Sequence, residues 1–254
     1  NRMLSRIANR INRYFYFDPE HLVGLGRSRH KAYLNAQPFP HVVIDNFLPP
    51  KVAERALSDF PGPECEYYQQ PDNENQVYKL GRLQDHYFKG VPDRLRHVLY
   101  EFNSKTFMDF LEALTGIKPI IPDPHYHGGA LHQILPGGKL DIHADFNKDI
   151  RTGLDRRINA LLYLNKDWRK EYGGYLELWD EEMQACQQSI APIFNRCVIF
   201  STTSKSFHGH PRVLKCPEGR TRKSLAFYYY TNGRPDDESS ESHNTIWKPI
   251  AENT

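Results

Sequence analysis

Leu140-Asp141-Ile142-His143-Ala144-Asp145-Phe146-Asn147 is the most informative stretch of this 254-residue chain. Its apolar and polar residues alternate as in a strand, where residues two apart share a face. His143 and Asp145 therefore project together, an imidazole beside a carboxylate. Two ligands do not make a stable metal site, so a third must come from elsewhere. Ser206-Phe207-His208-Gly209-His210, near the end of another strand, offers His208 or His210. Two histidines and one carboxylate on one face of an octahedron leave three positions open, the donor set of non-haem Fe(II) oxygenases. An isolated HxD pair is also common by chance and more often marks an ordinary buried hydrogen-bonded pair.

Outward from this stretch the sequence is β-rich. Short runs at 129–135, 138–143, 157–165, 174–179, 185–190, 195–201, 205–209 and 222–231 are separated by turn signals at Pro136-Gly137-Gly138, Gly173-Gly174, Asn195-Arg196 and Pro217-Glu218-Gly219. Strands so spaced predict a sandwich or open barrel rather than a βαβ fold. Upstream the texture is helical. Residues 51–59 and 92–115 carry helical apolar periodicity, the second ending at Gly116, and His41–Phe47 reads as a strand. Residues 61–90 read as a long loop with short strands. The fold class is mainly β with flanking helices.

At the N-terminus, Met3, Leu4, Ile7, Ile11 and Tyr14 recur at helical spacing, and residues 1–31 hold seven Lys/Arg against two Asp/Glu. Such a helix could touch a membrane surface through residues 1–16; packing on the domain is the preferred reading. The expected organisation is a basic amphipathic helical extension over 1–37, a domain over 38–234 (helical support 49–115, β core about 119–231) and a tail over 235–254.

Composition bounds the partners. Lys+Arg number 33 and Asp+Glu 31, a formal charge of +2, too balanced for a general nucleic-acid binder. No apolar run approaches the roughly 18–20 residues that cross a bilayer, and no secretory signal is visible. Cys65, Cys186, Cys197 and Cys216 are scattered without a CxxC spacing, as expected of reduced thiols in a cytoplasmic protein. Lys139, Arg151, Arg156, Arg157, Lys205 and Arg212 could rim the site and favour an anionic substrate, or be balanced by nearby acids. Oligomeric state is not legible in the sequence.

Several separated elements then fall in order: His143-x-Asp145, Tyr163-Leu164-Asn165-Lys166-Asp167-Trp168, Gly173-Gly174, Ile190-Ala191-Pro192-Ile193-Phe194-Asn195-Arg196, Phe200, His208 and Arg222. Over roughly residues 125–231 this order resembles the 2-oxoglutarate- and Fe(II)-dependent dioxygenases, most of all their prolyl-hydroxylase-like branch. The resemblance implies a double-stranded β-helix (jelly-roll) core. It implies His143, Asp145 and His208 as metal ligands, with His208 ahead of His210. It implies Arg222, and beside it Tyr163, as partners of the far carboxylate of 2-oxoglutarate. Arg220 competes with Arg222 because the segment after His208 is long. Gln133 stands at a cosubstrate-facing position where that branch has a tyrosine, which weakens any transfer of substrate. The implied cofactor set is Fe(II) with 2-oxoglutarate and O2 as cosubstrates. The implied reaction hydroxylates an unactivated C–H bond and releases succinate and CO2. A small-molecule, sugar or carrier-tethered substrate is the first expectation. A peptidyl, prolyl-type substrate is the alternative, and a non-catalytic metal-binding interaction module the second alternative.

Overall fold

A computed structural model describes residues 14–68, 73–81, 88–238 and 240–250. Residues 1–13, which carry most of the expected basic helix, lie outside them. The first described helix, α1 (Pro19–Leu34), starts where Asp18 accepts the His21 amide hydrogen at 2.8 Å. Pro19 opens it, at a position where a missing N–H is harmless. After β1 (His41–Ile44) comes α2 (Pro50–Ser58). The single helix expected over 92–115 is two, α3 (Asp93–Phe102) and α4 (Lys105–Thr115). Ser104 is the physical reason: its hydroxyl accepts the Phe107 amide hydrogen at 3.3 Å and caps a new helix. Gly116, at φ 77°, closes α4 in the left-handed conformation that disfavours a Cβ.

The β core follows. β2 (Gln76–Leu80) lies in the expected long loop, and β3 (Ile121–Pro122) precedes the 15-residue β4 (Ala130–Ala144). Then come β5 (Asp155–Tyr163), β6 (Leu176–Trp179), β7 (Cys186–Ile190), β8 (Arg196–Ser201), β9 (His208–His210), β10 (Arg222–Thr231) and β11 (Ile246–Trp247). The expected turn at Pro136-Gly137-Gly138 is instead inside β4. There the Gly137 amide donates to the Leu214 carbonyl at 2.9 Å, and the Leu214 amide to the Gly138 carbonyl at 3.0 Å, so neighbouring chain satisfies the backbone without a reversal.

The strands run β1-β8-β5-β10-β4-β9-β6-β7, with β2 and β11 also on β4 and β3 on β10. β4 joins the two halves of this jelly roll. Its first part pairs with β10 and its last part with β9. Alternation along the strands sorts the side chains. Ile158, Ala160 and Leu162 of β5 and Leu225, Phe227 and Tyr229 of β10 face the helices, where Phe227 stacks on Phe102 at 4.2 Å between ring centres. Asn159, Leu161 and Tyr163, with Arg222, Ser224 and Tyr228, face the interior of the roll.

Helix α1, within the expected extension, packs on α4; Leu22, Gly26 and Tyr33 are buried in the same core as the sheet. A Cβ at Gly26 would stand 2.8 Å from the Phe110 carbonyl oxygen, so only glycine allows this approach. Within the expected tail, β11 pairs Ile246 with Ala144 and Trp247 with His143. These described parts of both segments, α1 and β11, pack on the domain.

Candidate metal centre

His143 lies at the end of β4 with Asp145 just beyond it, and His208 begins β9, directly across the ladder from His143. Their donor atoms lie within 4.8 Å of one another. His143 Nε2 is 3.6 Å from Asp145 Oδ1, and His208 Nε2 is 3.5 Å from Asp145 Oδ2. Adjacent donors on one octahedral ion, each about 2.1 Å from it, stand about 3 Å apart. Small side-chain adjustments therefore close these three around a single ion.

The outer contacts prepare the donors. His143 Nδ1 donates to the Asp141 carbonyl and His208 Nδ1 to the Ser206 carbonyl, both at 2.9 Å. A carbonyl only accepts, so each ring carries its hydrogen on Nδ1 and turns the Nε2 lone pair to the centre. Asp145 Oδ2 accepts from Asn159 Nδ2 at 2.8 Å and pairs with Arg156 at 3.0 Å. Asn159 Oδ1 in turn accepts from Arg156 Nε at 3.1 Å and Nη2 at 2.9 Å. Burial alone would raise the Asp145 carboxyl, but Arg156, with His208 and His143, outweighs it and holds the group well below the usual carboxylate range. Burial, aided by His143, pushes His208 down to about 4. A carboxylate and two imidazoles with free Nε2 lone pairs are the state a divalent cation takes, so these residues fit Fe(II).

The centre opens on a cavity of about 510 Å³. Arg222 lines it from the start of β10. Its Nε donates to the Gly174 carbonyl at 2.7 Å and its Nη2 to the Tyr163 hydroxyl at 3.2 Å. Gly174 has φ +68°, and a Cβ there would meet Leu214 at 2.4 Å and Arg222 at 3.0 Å. Gly174 therefore seats the Arg222 side chain. Arg220, the sequence competitor, donates outward to the Lys166 and Asp167 carbonyls and does not line the cavity.

Gln133 requires correction. It is fully buried, but its amide bonds to Thr221, Pro61 and Tyr68, and it does not line the cavity. Register explains this. On β4 it pairs with Lys223, whereas the neighbouring pair His132–Ser224 faces the interior. Of the six basic residues that could rim the site, only Arg156 lines it. Lys139, Arg151, Arg157, Lys205 and Arg212 pair instead with Asp141, Asp149, Glu238, Glu181 and Glu177.

Apart from Arg156, several lining residues carry no reading in the sequence. Asn159 could have been singled out, since it shares a strand face with Tyr163 at spacing four. Arg156 reaches that face because the pairing of β5 with β10 is irregular between Tyr229 and Tyr230. Its guanidinium lies 3.6 Å from the Tyr228 ring centre and 4.7 Å from that of Phe146. Lys79 enters from β2, and Trp247 from β11 with its ring centre 4.9 Å from that of His143. No local signal marks either.

Residues 129–230 match the 2OG-Fe(II) oxygenase superfamily. Over 201 residues the chain is 37% identical to a prolyl 3-hydroxylase of Mus musculus, OGFOD1, covering 78% of this chain and 34% of that protein. The chain thus spans about a third of the length of this curated relative. Among solved structures it resembles a Trichoplax adhaerens prolyl hydroxylase in complex with a hypoxia inducible factor oxygen degradation domain peptide fragment. That likeness has a TM-score of 0.56 and 17% identity and covers 83% of this chain and 91% of that one. A Pseudomonas putida prolyl-4-hydroxylase gives a TM-score of 0.52 and 16% identity, covering 81% and 98%. These structural likenesses show the shared fold.

Proposed function

We propose, from the premise that the chain belongs to the 2OG-Fe(II) oxygenase superfamily, that it hydroxylates a prolyl residue of a peptide or protein. The observation that carries this reading is the meeting of His143, Asp145 and His208 with Arg222 and Tyr163 in one cavity. The prolyl 3-hydroxylase relative supports the peptidyl substrate. The small-molecule or carrier-tethered substrate expected first finds no support beside it. A cavity of about 510 Å³ falls within the roughly 300–1,000 Å³ of ligand sites. It can take a cosubstrate together with one side chain of a larger substrate.

His143, Asp145 and His208 would hold Fe(II). Arg222 and the Tyr163 hydroxyl would hold the distal carboxylate of 2-oxoglutarate by charge-assisted hydrogen bonds. Phe146, Tyr228 and Trp247 give the cavity an aromatic wall against which a pyrrolidine ring can pack. Asn159 and Arg156 fix the Asp145 carboxylate. When bound, Fe(II), 2-oxoglutarate and O2 supply the oxidising chemistry that ends in succinate, CO2 and a hydroxylated carbon. The protein's part is to hold one C–H bond close to that chemistry and in line with it. The four cysteines are unpaired, which supports a cytoplasmic location. No helix among the described residues is long and apolar enough to cross a membrane.

The test measures succinate released from 2-oxoglutarate with Fe(II), with and without a mixture of proline-containing peptides, and reads the peptides by mass. The expected result is peptide-stimulated succinate matched by one added oxygen on proline. Stimulation by small molecules alone would restore the other substrate class. Absence of both turnover and 2-oxoglutarate binding would support a non-catalytic module.

A further inference from the structure

His210 has no place in the reading above, yet it borders the same cavity. It lies two residues beyond His208 on β9, on the same strand face, and is 2% exposed. Neither ring nitrogen has a hydrogen-bond partner among the described residues. Arg222, Lys79 and His143 line that cavity with it, and Glu177 and Arg212 line a second cavity that it borders. The ring therefore lies among the guanidinium that awaits a carboxylate, the Lys79 ammonium and an imidazole of the metal centre. The second, side cavity, of about 220 Å³, is also lined by Gly173, Gly174 and Tyr175.

Packing does not explain this residue. An aliphatic side chain would fill the same space without burying two unpaired polar atoms, and such atoms in a native interior call for a ligand or an ordered water. An imidazole always carries at least one N–H. The groups that accept from it most strongly are anionic oxygens, and the carboxylates bordering its two cavities are already engaged, Asp145 by Asn159 and Arg156 and Glu177 by Arg212 and Trp179. We propose that His210 is a cosubstrate-positioning residue, donating its ring N–H to a carboxylate oxygen of 2-oxoglutarate held between the metal centre and Arg222. This rests on the cosubstrate assignment made above. The interaction adds a directional donor beside Arg222 and favours a dicarboxylic 2-oxo acid over a monocarboxylic one.

The test is equilibrium binding of 2-oxoglutarate to the Zn(II)-loaded protein, in which no turnover occurs. The proteins compared are the natural chain, His210→Leu, His210→Gln and Arg222→Ala, with Zn(II) affinity measured for each. The expected result for His210→Leu is about tenfold weaker 2-oxoglutarate binding, with Zn(II) affinity changed by less than about twofold. His210→Gln, which keeps an N–H donor, should recover most of the loss. If His210→Leu does not fold, the imidazole nitrogen resonances of the natural protein serve instead, and those of His210 should shift when 2-oxoglutarate is added. Undiminished binding in His210→Leu alongside weak binding in Arg222→Ala would overturn the proposal, leaving water in the side cavity as the ring's partner. Equal losses of Zn(II) and 2-oxoglutarate affinity would also overturn it, since the residue would then act through His208. A natural protein that takes up Zn(II) but not 2-oxoglutarate would remove the parent reading itself.

Discussion

Asn159→Ala isolates what the surroundings of the metal ligands contribute. Asn159 touches no metal. It donates to Asp145 Oδ2 at 2.8 Å and accepts twice from Arg156, at 3.1 and 2.9 Å. Truncation removes all three bonds in a region where Asn159 and Arg156 are each 2% exposed. Arg156 keeps its 3.0 Å contact with Asp145, so the buried guanidinium is not left bare. The loss in folding stability should be about 1–3 kcal/mol, the cost of weakened buried hydrogen bonds to charged groups. The carboxylate also loses the partner that fixes its rotation. Removing such outer contacts typically weakens metal binding by about 10–100-fold, or about 1.4–2.7 kcal/mol. Anaerobic Fe(II) titration followed by calorimetry measures this, and a urea melt measures stability. At saturating Fe(II), 2-oxoglutarate affinity should stay within about threefold, because Arg222 and Tyr163 lie elsewhere in the cavity. Fe(II) affinity within about twofold of the natural protein would refute the view that Asn159 orients Asp145.

Two further substitutions probe the rest of the cavity. Arg222→Ala should weaken 2-oxoglutarate binding by about a hundredfold or more while Fe(II) binding stays near normal, and Arg220→Ala should change neither, as isothermal titration will show. Lys79 tests the electrostatics through pH. Burial lowers its ammonium to about 8, below its value in the unfolded chain. Between the two values the unfolded state binds the extra proton, so this group's cost to folding is full below about pH 8 and fades as pH rises. Lys79→Met should therefore stabilise the fold more at about pH 7 than at about pH 10 in urea melts; an equal effect at both would show that the ammonium is not desolvated.

The parts of this molecule that were legible in sequence follow from strand alternation. His143 and Asp145 share a face because they are two apart, whereas Tyr163 and Arg222 are pointed to by the family resemblance and line the same interior. Elements that break the rule were hidden. The irregular pairing around Arg157 turns Arg156 inward, so the guanidinium beside Asp145 looked like one basic residue among six. Gln133 was assigned to the cosubstrate from its position in the chain, but register against β10 puts its neighbour His132 in the cavity instead. Ser104 divides an apolar run that reads as one helix, since a capping hydroxyl outweighs periodicity over a single turn. Trp247 and Lys79 arrive from segments far along the chain with no local pattern, and only the completed sheet brings them to β4.

Anaerobic Fe(II) binding by the natural protein, set against Asp145→Ala, tests the metal centre most directly. One equivalent should bind to the natural chain and none measurably to the variant, with a melt confirming that the variant is folded. A folded Asp145→Ala protein that still holds one equivalent with undiminished affinity would contradict the assignment of His143, Asp145 and His208 as the site of the iron.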